Sequence, residues 1–164
     1  MVGALARFRI NYYQLHPSAQ AAATALNLTP KCIDPYMITL AQVIEIVHCV
    51  EEAIRTIKLL LDKGIVWEEP ARPSRVSGEG VGACEAPRGT LYHNYVIGDE
   101  FITDANCIIP TAQNLANIEA DMRSLVPRIL DRQQAEITLA LEMLVRAYDP
   151  CISCATHTLN VEYV

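Results

Sequence analysis

Apolar positions are spaced most regularly between Met37 and Lys63, where Leu40, Val43, Ile44, Val47, Val50, Ile54, Ile57 and Leu61 recur at intervals of three and four. That period gathers them on one stripe of an α-helix. Glu51, Glu52, Arg55 and Lys58 fall on the opposite side, and Gly64 is a natural residue to end the helix. His48 and Cys49 lie within it and read as packing residues. Upstream, the alanine-rich run from Pro17 to Ala25 predicts a short helix that stops near Asn27, ahead of Pro30. A turn-like segment from Pro30 to Pro35 separates the two. Residues 1–16 have an apolar start and the pair Tyr12-Tyr13, with no strong periodicity.

Beyond Gly64 the pattern changes. Pro70, Pro73, Gly78, Gly80, Gly82 and Pro87 interrupt any regular element and predict a long loop over 65–88. Thr90 to Ile97 reads as a strand, Gly98-Asp99 as a hairpin turn, and Phe101 to Ile109 as the return strand. Pro110-Thr111 opens a helix through Asn114, Leu115, Ile118, Met122 and Leu125. Another starts at Asp131, with Gln134 as capping-box partner, and carries Ile137, Leu141, Leu144 and Val145 to Tyr148. The predicted class is mainly α with a small antiparallel β-hairpin (α+β), in one domain.

Composition narrows the partners. A 51% hydrophobic fraction is that of a globular chain. The net charge of −6 leaves no basic stripe for nucleic acid. No apolar run approaches the roughly 18 residues that span a bilayer. Met1 to Arg7 lacks the apolar core and cleavage site of a signal peptide, so the expected location is cytoplasmic. Of six cysteines, those at 32, 49, 84 and 107 are isolated in apolar or helical surroundings and read as buried free thiols. Without a secretory signal, a disulfide framework is not expected.

Candidate chemistry concentrates in Asp149-Pro-Cys151-Ile-Ser-Cys154-Ala-Thr-His157. Asp149-Pro150 predicts an N-cap followed by proline at the first helical position, with Cys151 in the first turn, where the helix dipole favours a thiolate. The cysteines and His157 recur every third residue and share one side of a helical turn. A haem-attachment motif needs histidine directly after the second cysteine, which fails here. A thioredoxin-like pair would follow a strand in a βαβ unit, whereas a long helix precedes this one. A structural zinc site would draw a fourth ligand from Cys107, Cys84 or His93. Spacing favours a metal site, with redox and packing roles open. Two further stretches are weaker alone. Arg88, held between Pro87 and Gly89, suits a guanidinium that must be aimed, or a surface arginine in a turn. Pro110-Thr111 is a helix start able to meet an anion, or an ordinary cap.

Together, Glu85-Ala-Pro-Arg-Gly-Thr-Leu-Tyr-His93, Ile109-Pro-Thr-Ala-Gln-Asn-Leu-Ala-Asn117 and Asp149 to His157 resemble, in order and context, the large subunit of nickel–iron hydrogenases. The Thr-Leu-Tyr-His and Ile-Ser-Cys-Ala-Thr-His variants resemble its cytoplasmic, cofactor-coupled branch. The resemblance covers the whole chain but only the C-terminal part of that subunit. It implies that Cys151 is a terminal nickel thiolate and that Cys154 bridges nickel and iron. Arg88, with Pro87, would contact one iron-bound cyanide and assist H₂ cleavage. Asp149 would hold the Arg88 guanidinium, and the Pro110-Thr111 helix start would contact the other cyanide. His157 and the Cys107 carbonyl would ligate Mg2+ or a related divalent metal. The implied centre is Ni-Fe with CO and CN ligands. The implied partners are an iron–sulfur small subunit, the N-terminal part of the large subunit, a maturation protease that cuts after His157, and diaphorase-type or other electron-transfer subunits.

The chain departs from the family in one large respect. The family's second cysteine pair, in Arg-x-Cys-Gly-x-Cys, and its proton-transferring glutamate are absent from these 164 residues. Cys32, Cys49 and Cys84 stand alone. Residues 158–164 are expected to be a tail removed on maturation. The resemblance therefore implies half of a reversible H₂-oxidising site. One alternative is a non-catalytic metal-binding or assembly protein derived from that subunit, holding zinc or nickel through Cys151, Cys154 and His157. Another is a respiratory-complex relative that has lost the metal, against which both cysteines count.

Overall fold

The computed structural model describes residues 1–72 and 74–155; His157 and the expected tail at 158–164 lie outside them. Helices α1 (Ala4–Asn11), α2 (Pro17–Ala25) and α3 (Ile38–Lys63) come first. A sheet of β1 (Gly78–Ala86), β2 (Gly89–Gly98) and β3 (Phe101–Ile108) follows, and then α4 (Pro110–Leu125), α5 (Gln134–Ala147) and the single turn α6 (Ile152–Ala155). The class is α+β, mainly helical with a small antiparallel sheet.

The long helix has the length its stripe predicts, but only its first half is covered. Ile38, Ala41 and Ile44 are buried against Ala4, Leu5 and Phe8 of α1 and Ala19 and Ala23 of α2. Ile118, Leu144 and Tyr148 from the last helices complete this core, and Ile129, Ile137 and Leu141 form a smaller one beside it. Alanines at 19, 23 and 41 let the helices approach closely, which explains why an alanine-rich α2 is stable here.

Four local expectations are corrected. Residues 4–11 form a helix: three buried apolar side chains supply enough contact without a long periodic stripe. The predicted loop at 65–88 ends at Ser77. From Gly78 the chain is a strand paired antiparallel to β2, with Gly78 opposite Ile97 and Ala86 opposite Gly89. Backbone pairing, which glycine does not prevent, makes β1; its side chains are exposed and leave no alternating signal. The β2–β3 turn is Asp99-Glu100, not Gly98-Asp99, because Gly98 pairs with Phe101. Both turn residues have positive φ, 50° and 71°, as a two-residue turn twisting with the strands requires. Finally, α5 starts at Gln134, and its capping box joins Gln133 to Glu136 rather than Asp131 to Gln134.

The free cysteines are also more open than predicted. Cys49, Cys84 and Cys107 are exposed and Cys32 is half-buried. Cys49 lies on α3, Cys84 on β1 and Cys107 on β3, strands whose side chains are exposed almost throughout, while Cys32 packs at the edge of the larger core.

Candidate metal centre

The site is assembled where the β1–β2 turn, the start of α4 and the end of α5 meet. With Ala86 paired to Gly89, Pro87 and Arg88 are the two turn residues. Gly89 has φ 140°, which strongly favours glycine, and a Cβ there would lie 2.7 Å from Val2 Cγ2 and 3.1 Å from Pro110 Cβ. A Cβ on Gly3, at φ 101°, would sit 2.8 Å from the Arg88 carbonyl oxygen. The arginine turn is thus wedged between residues 2–3 and the first turn of α4. Gly89→Ala is expected to cost about 2–3 kcal/mol, from backbone strain plus overpacking. Chemical denaturation beside Gly80→Ala, whose added Cβ meets nothing within 4 Å, checks it; equal midpoints would contradict the wedge.

Beneath the turn, Arg7 of α1 gathers the strand end. Its Nε and Nη2 donate to the two Glu45 carboxylate oxygens at 2.6 and 2.7 Å. It also donates to Glu85, to the Ala86 carbonyl and to the Pro87 carbonyl, the last two at 2.8 Å. The hydrogen bond to Glu45, then that to Glu85, holds the Arg7 pKa above its ordinary value. Burial alone would raise the Glu85 pKa; the Thr90 hydroxyl and Arg7 outweigh it and lower it. No motif marks Arg7, and only its alternate charge partners Glu45 and Glu85, far apart in sequence, betray its role. Arg7→Met should cost about 2 kcal/mol, less than a fully buried pair because both partners keep some solvent. Urea denaturation measures this, and the Arg7→Met/Glu45→Leu double variant should recover part of the loss by removing the stranded carboxylate.

Arg88 itself faces the end of α5. Its Nε donates to the Asp149 carbonyl at 2.6 Å and its Nη2 to Asp149 Oδ1 at 3.1 Å. Gln42 of α3 donates to the other carboxylate oxygen, Oδ2, at 2.9 Å. Both oxygens are therefore engaged, and the guanidinium is held by a carbonyl and a carboxylate of one residue. Gln42 is a second contributor that periodicity alone could not distinguish from other polar positions of α3.

Asp149 is not the N-cap that Asp-Pro predicts. It has φ 50° and follows the C-cap Tyr148 of α5. Aspartate tolerates this left-handed conformation, and Pro150 disfavours helix for the residue before it. Consequently Cys151 precedes α6 rather than entering its first turn; its carbonyl accepts from Cys154 N–H at 3.1 Å. That tight turn brings the two cysteines together. Their Cα atoms are 5.3 Å apart and their sulfurs are joined as a disulfide, a local pairing where the sequence reading expected no disulfide framework. Cys151 N–H donates to the Thr111 hydroxyl at 3.1 Å. Thr111 and Asn114, both 4% exposed, are the buried polar residues of α4. Asn114 completes the link to the chain's start, accepting from Val2 N–H at 2.8 Å and donating to the Val2 carbonyl at 3.2 Å.

Of the sequence-predicted residues, then, Pro87, Arg88, Pro110, Thr111, Asp149, Cys151 and Cys154 converge. Cys107 is directly opposite His93 on β2, with Sγ 3.4 Å from Nδ1, and the Tyr95 hydroxyl is 2.8 Å from the same nitrogen. Among the described residues no group of three histidine, cysteine, aspartate or glutamate side chains could hold a metal. His157, the third ligand of the predicted zinc set, lies outside the described residues. Once the Cys151–Cys154 pair is reduced, its two soft thiolates beside a fixed guanidinium fit a nickel or iron centre as one part of its ligand set. No helix of the described residues is long and apolar enough to cross a membrane.

Residues 1–157 match the family described as nickel-dependent hydrogenase. Sulfhydrogenase 1 subunit alpha of Pyrococcus furiosus is 35% identical over 98% of this chain and 37% of its own length. The NAD-reducing hydrogenase HoxS subunit beta of Cupriavidus necator is 41% identical over 73% of this chain and 25% of its own. The crystal structure of an NAD+-reducing NiFe-hydrogenase in the H2-reduced state aligns with a TM-score of 0.74 at 35% identity, over 95% of this chain and 35% of that one. The chain spans about a third of the length of the relatives it matches.

Proposed function

The chain belongs to the nickel-dependent hydrogenase family, and from that premise we propose that it forms the C-terminal wall of the catalytic site in a NiFe hydrogenase large subunit. The observation that carries this reading is the convergence of the Cys151–Cys154 pair with the Arg88–Asp149 clamp across the Thr111 helix start. Cys151 and Cys154, as thiolates, would hold the nickel and iron of the centre. When bound, the Ni-Fe centre with its CO and CN ligands supplies reversible cleavage of H₂ into two protons and two electrons.

The chain's own residues orient and shield. Arg88 presents permanently charged donors whose aim is set from below by Arg7 and from the side by Asp149. These preorganised donors would meet a cyanide and the charge that develops on H₂ cleavage without reorganising. Pro87 and Pro110 flank the turn with apolar surface, and Thr111 fixes the Cys151 backbone. The Cys107 carbonyl and His157, hard oxygen and imidazole donors, would take Mg2+ or a related divalent ion. An iron–sulfur small subunit, the remaining part of the large subunit, a maturation protease and diaphorase-type electron-transfer subunits would be the partners, in the cytoplasm. Support for these comes from the family membership and from relatives that include an NAD-reducing enzyme.

Elemental analysis with infrared spectroscopy of the assembled subunit tests the proposal. Nickel and iron with CO and CN bands are expected; zinc alone would replace this reading with a metal-binding protein derived from the same subunit.

A further inference from the structure

Tyr148 caps α5 immediately before the Asp149-Pro150 corner. Its ring is 6% exposed and belongs to the larger core, where a phenylalanine would fit equally. The hydroxyl does what packing does not require: it donates to Asp121 Oδ2 at 2.6 Å. That is the length of a charge-assisted O–H···O⁻ bond. Burial, then the hydrogen bond to Asp121, pushes the Tyr148 pKa up, so the hydroxyl stays the donor.

Asp121 stands on α4, whose first turn carries Thr111. One helix therefore holds the chain on both sides of the corner: Asp121 takes the Tyr148 hydroxyl, and the Thr111 hydroxyl accepts from Cys151 N–H at 3.1 Å. The two anchors lie about 15 Å apart along α4, at about 1.5 Å per residue. Only Asp149 and Pro150 separate Tyr148 from Cys151. Pro150 has a fixed φ, and Asp149 takes φ 50°, which a non-glycine residue keeps only where its surroundings over-determine it. The carbonyl and the carboxylate that aim Arg88 both belong to this residue.

We propose that Tyr148 is a positioning residue for the metal centre: the Tyr148–Asp121 hydrogen bond sets the register of α5 on α4, and through it the direction in which Asp149 holds Arg88. The proposal rests on the reading of the site given above. A hydroxyl that only filled the core could be deleted without moving the corner.

The variants that test this, in the assembled subunit, are Tyr148→Phe, Asp121→Ala, Asp121→Asn, and Tyr148→Phe combined with Arg88→Lys. Amide hydrogen exchange across residues 147–154 is read first, because it does not depend on which metal is bound. Tyr148→Phe and Asp121→Ala should speed exchange of the Cys151 N–H about tenfold, the scale of one charge-assisted hydrogen bond. Asp121→Asn, whose amide oxygen still accepts from the hydroxyl, should exchange as the wild type does. Turnover per nickel should fall about tenfold in Tyr148→Phe, with the cyanide infrared bands shifted and nickel content unchanged. Added to Arg88→Lys, the same substitution should cost nothing further, since its effect passes through the guanidinium. Unchanged exchange or near wild-type turnover in Tyr148→Phe, an additive loss in the double variant, or equal losses in Asp121→Asn and Asp121→Ala would each overturn the proposal. A subunit that holds zinc without cyanide bands would overturn the hydrogenase reading of the centre instead, and hydrogen exchange would still decide for or against Tyr148.

Discussion

Cys151→Ala, in the assembled subunit, is expected to lower nickel content by at least about tenfold, since a lost direct ligand should cost no less than the 10- to 100-fold that lost outer-shell partners do. The reason is geometric as well as chemical. Cys151 is fixed at its N–H by Thr111 and at its carbonyl by Cys154, so no neighbouring thiol can move in to replace it. Cys84 and Cys107 belong to the sheet, and Cys49 lies on α3 among residues that line the cavity beside Glu85 and Pro87. Metal analysis of Cys151→Ala beside Cys84→Ala gives the comparison. Wild-type nickel in Cys151→Ala would remove the central premise of the proposed function; loss in both would point to misassembly rather than to a missing ligand.

Arg88→Lys is expected to do the reverse, leaving the metals and infrared bands in place while H₂ oxidation falls by roughly 100-fold, the scale for losing an aimed donor in a preorganised site. Lysine keeps the charge, but one ammonium cannot reproduce the planar fork that spans the Asp149 carbonyl and its carboxylate. The ammonium would also be free to swing toward either acceptor. Turnover per nickel is the measurement, and near-normal turnover would mean that charge alone, not direction, matters at this position.

How far the sequence reveals the molecule differs from element to element. Helix α3 is legible because its eight stripe residues repeat over 26 positions, yet that same stripe cannot say which half is covered, and only the first half is. Strand β1 is illegible because its contacts are backbone to β2, while five of its nine residues are glycine or alanine and carry no alternation. Helix α1 is too short for a period to emerge from Ala4, Leu5 and Phe8. In the candidate site, the residues proposed to face the metals are named by motif resemblance. Of those that position them, Arg7, Gln42 and Asn114 sit in ordinary-looking helices and Gly3 precedes one, and the hydrogen-bond partners of the three are 38 to 112 positions away. Asp149-Pro150 misleads for a definite reason: the same dipeptide can open a helix or close one, and the 14-residue α5 before it decides for closure.

The Asp99-Glu100 turn gives the sheet a use as an instrument. Strand β2 runs ten residues from Gly89 to Gly98, about 30 Å at the usual rise per residue, and joins that turn to the Arg88 end. A fluorophore or spin label introduced at Glu100 would ride on the same ribbon as Arg88 while staying clear of the sulfurs and of residues 2–3. Metal loading could then be followed in real time from a reporter that does not disturb it.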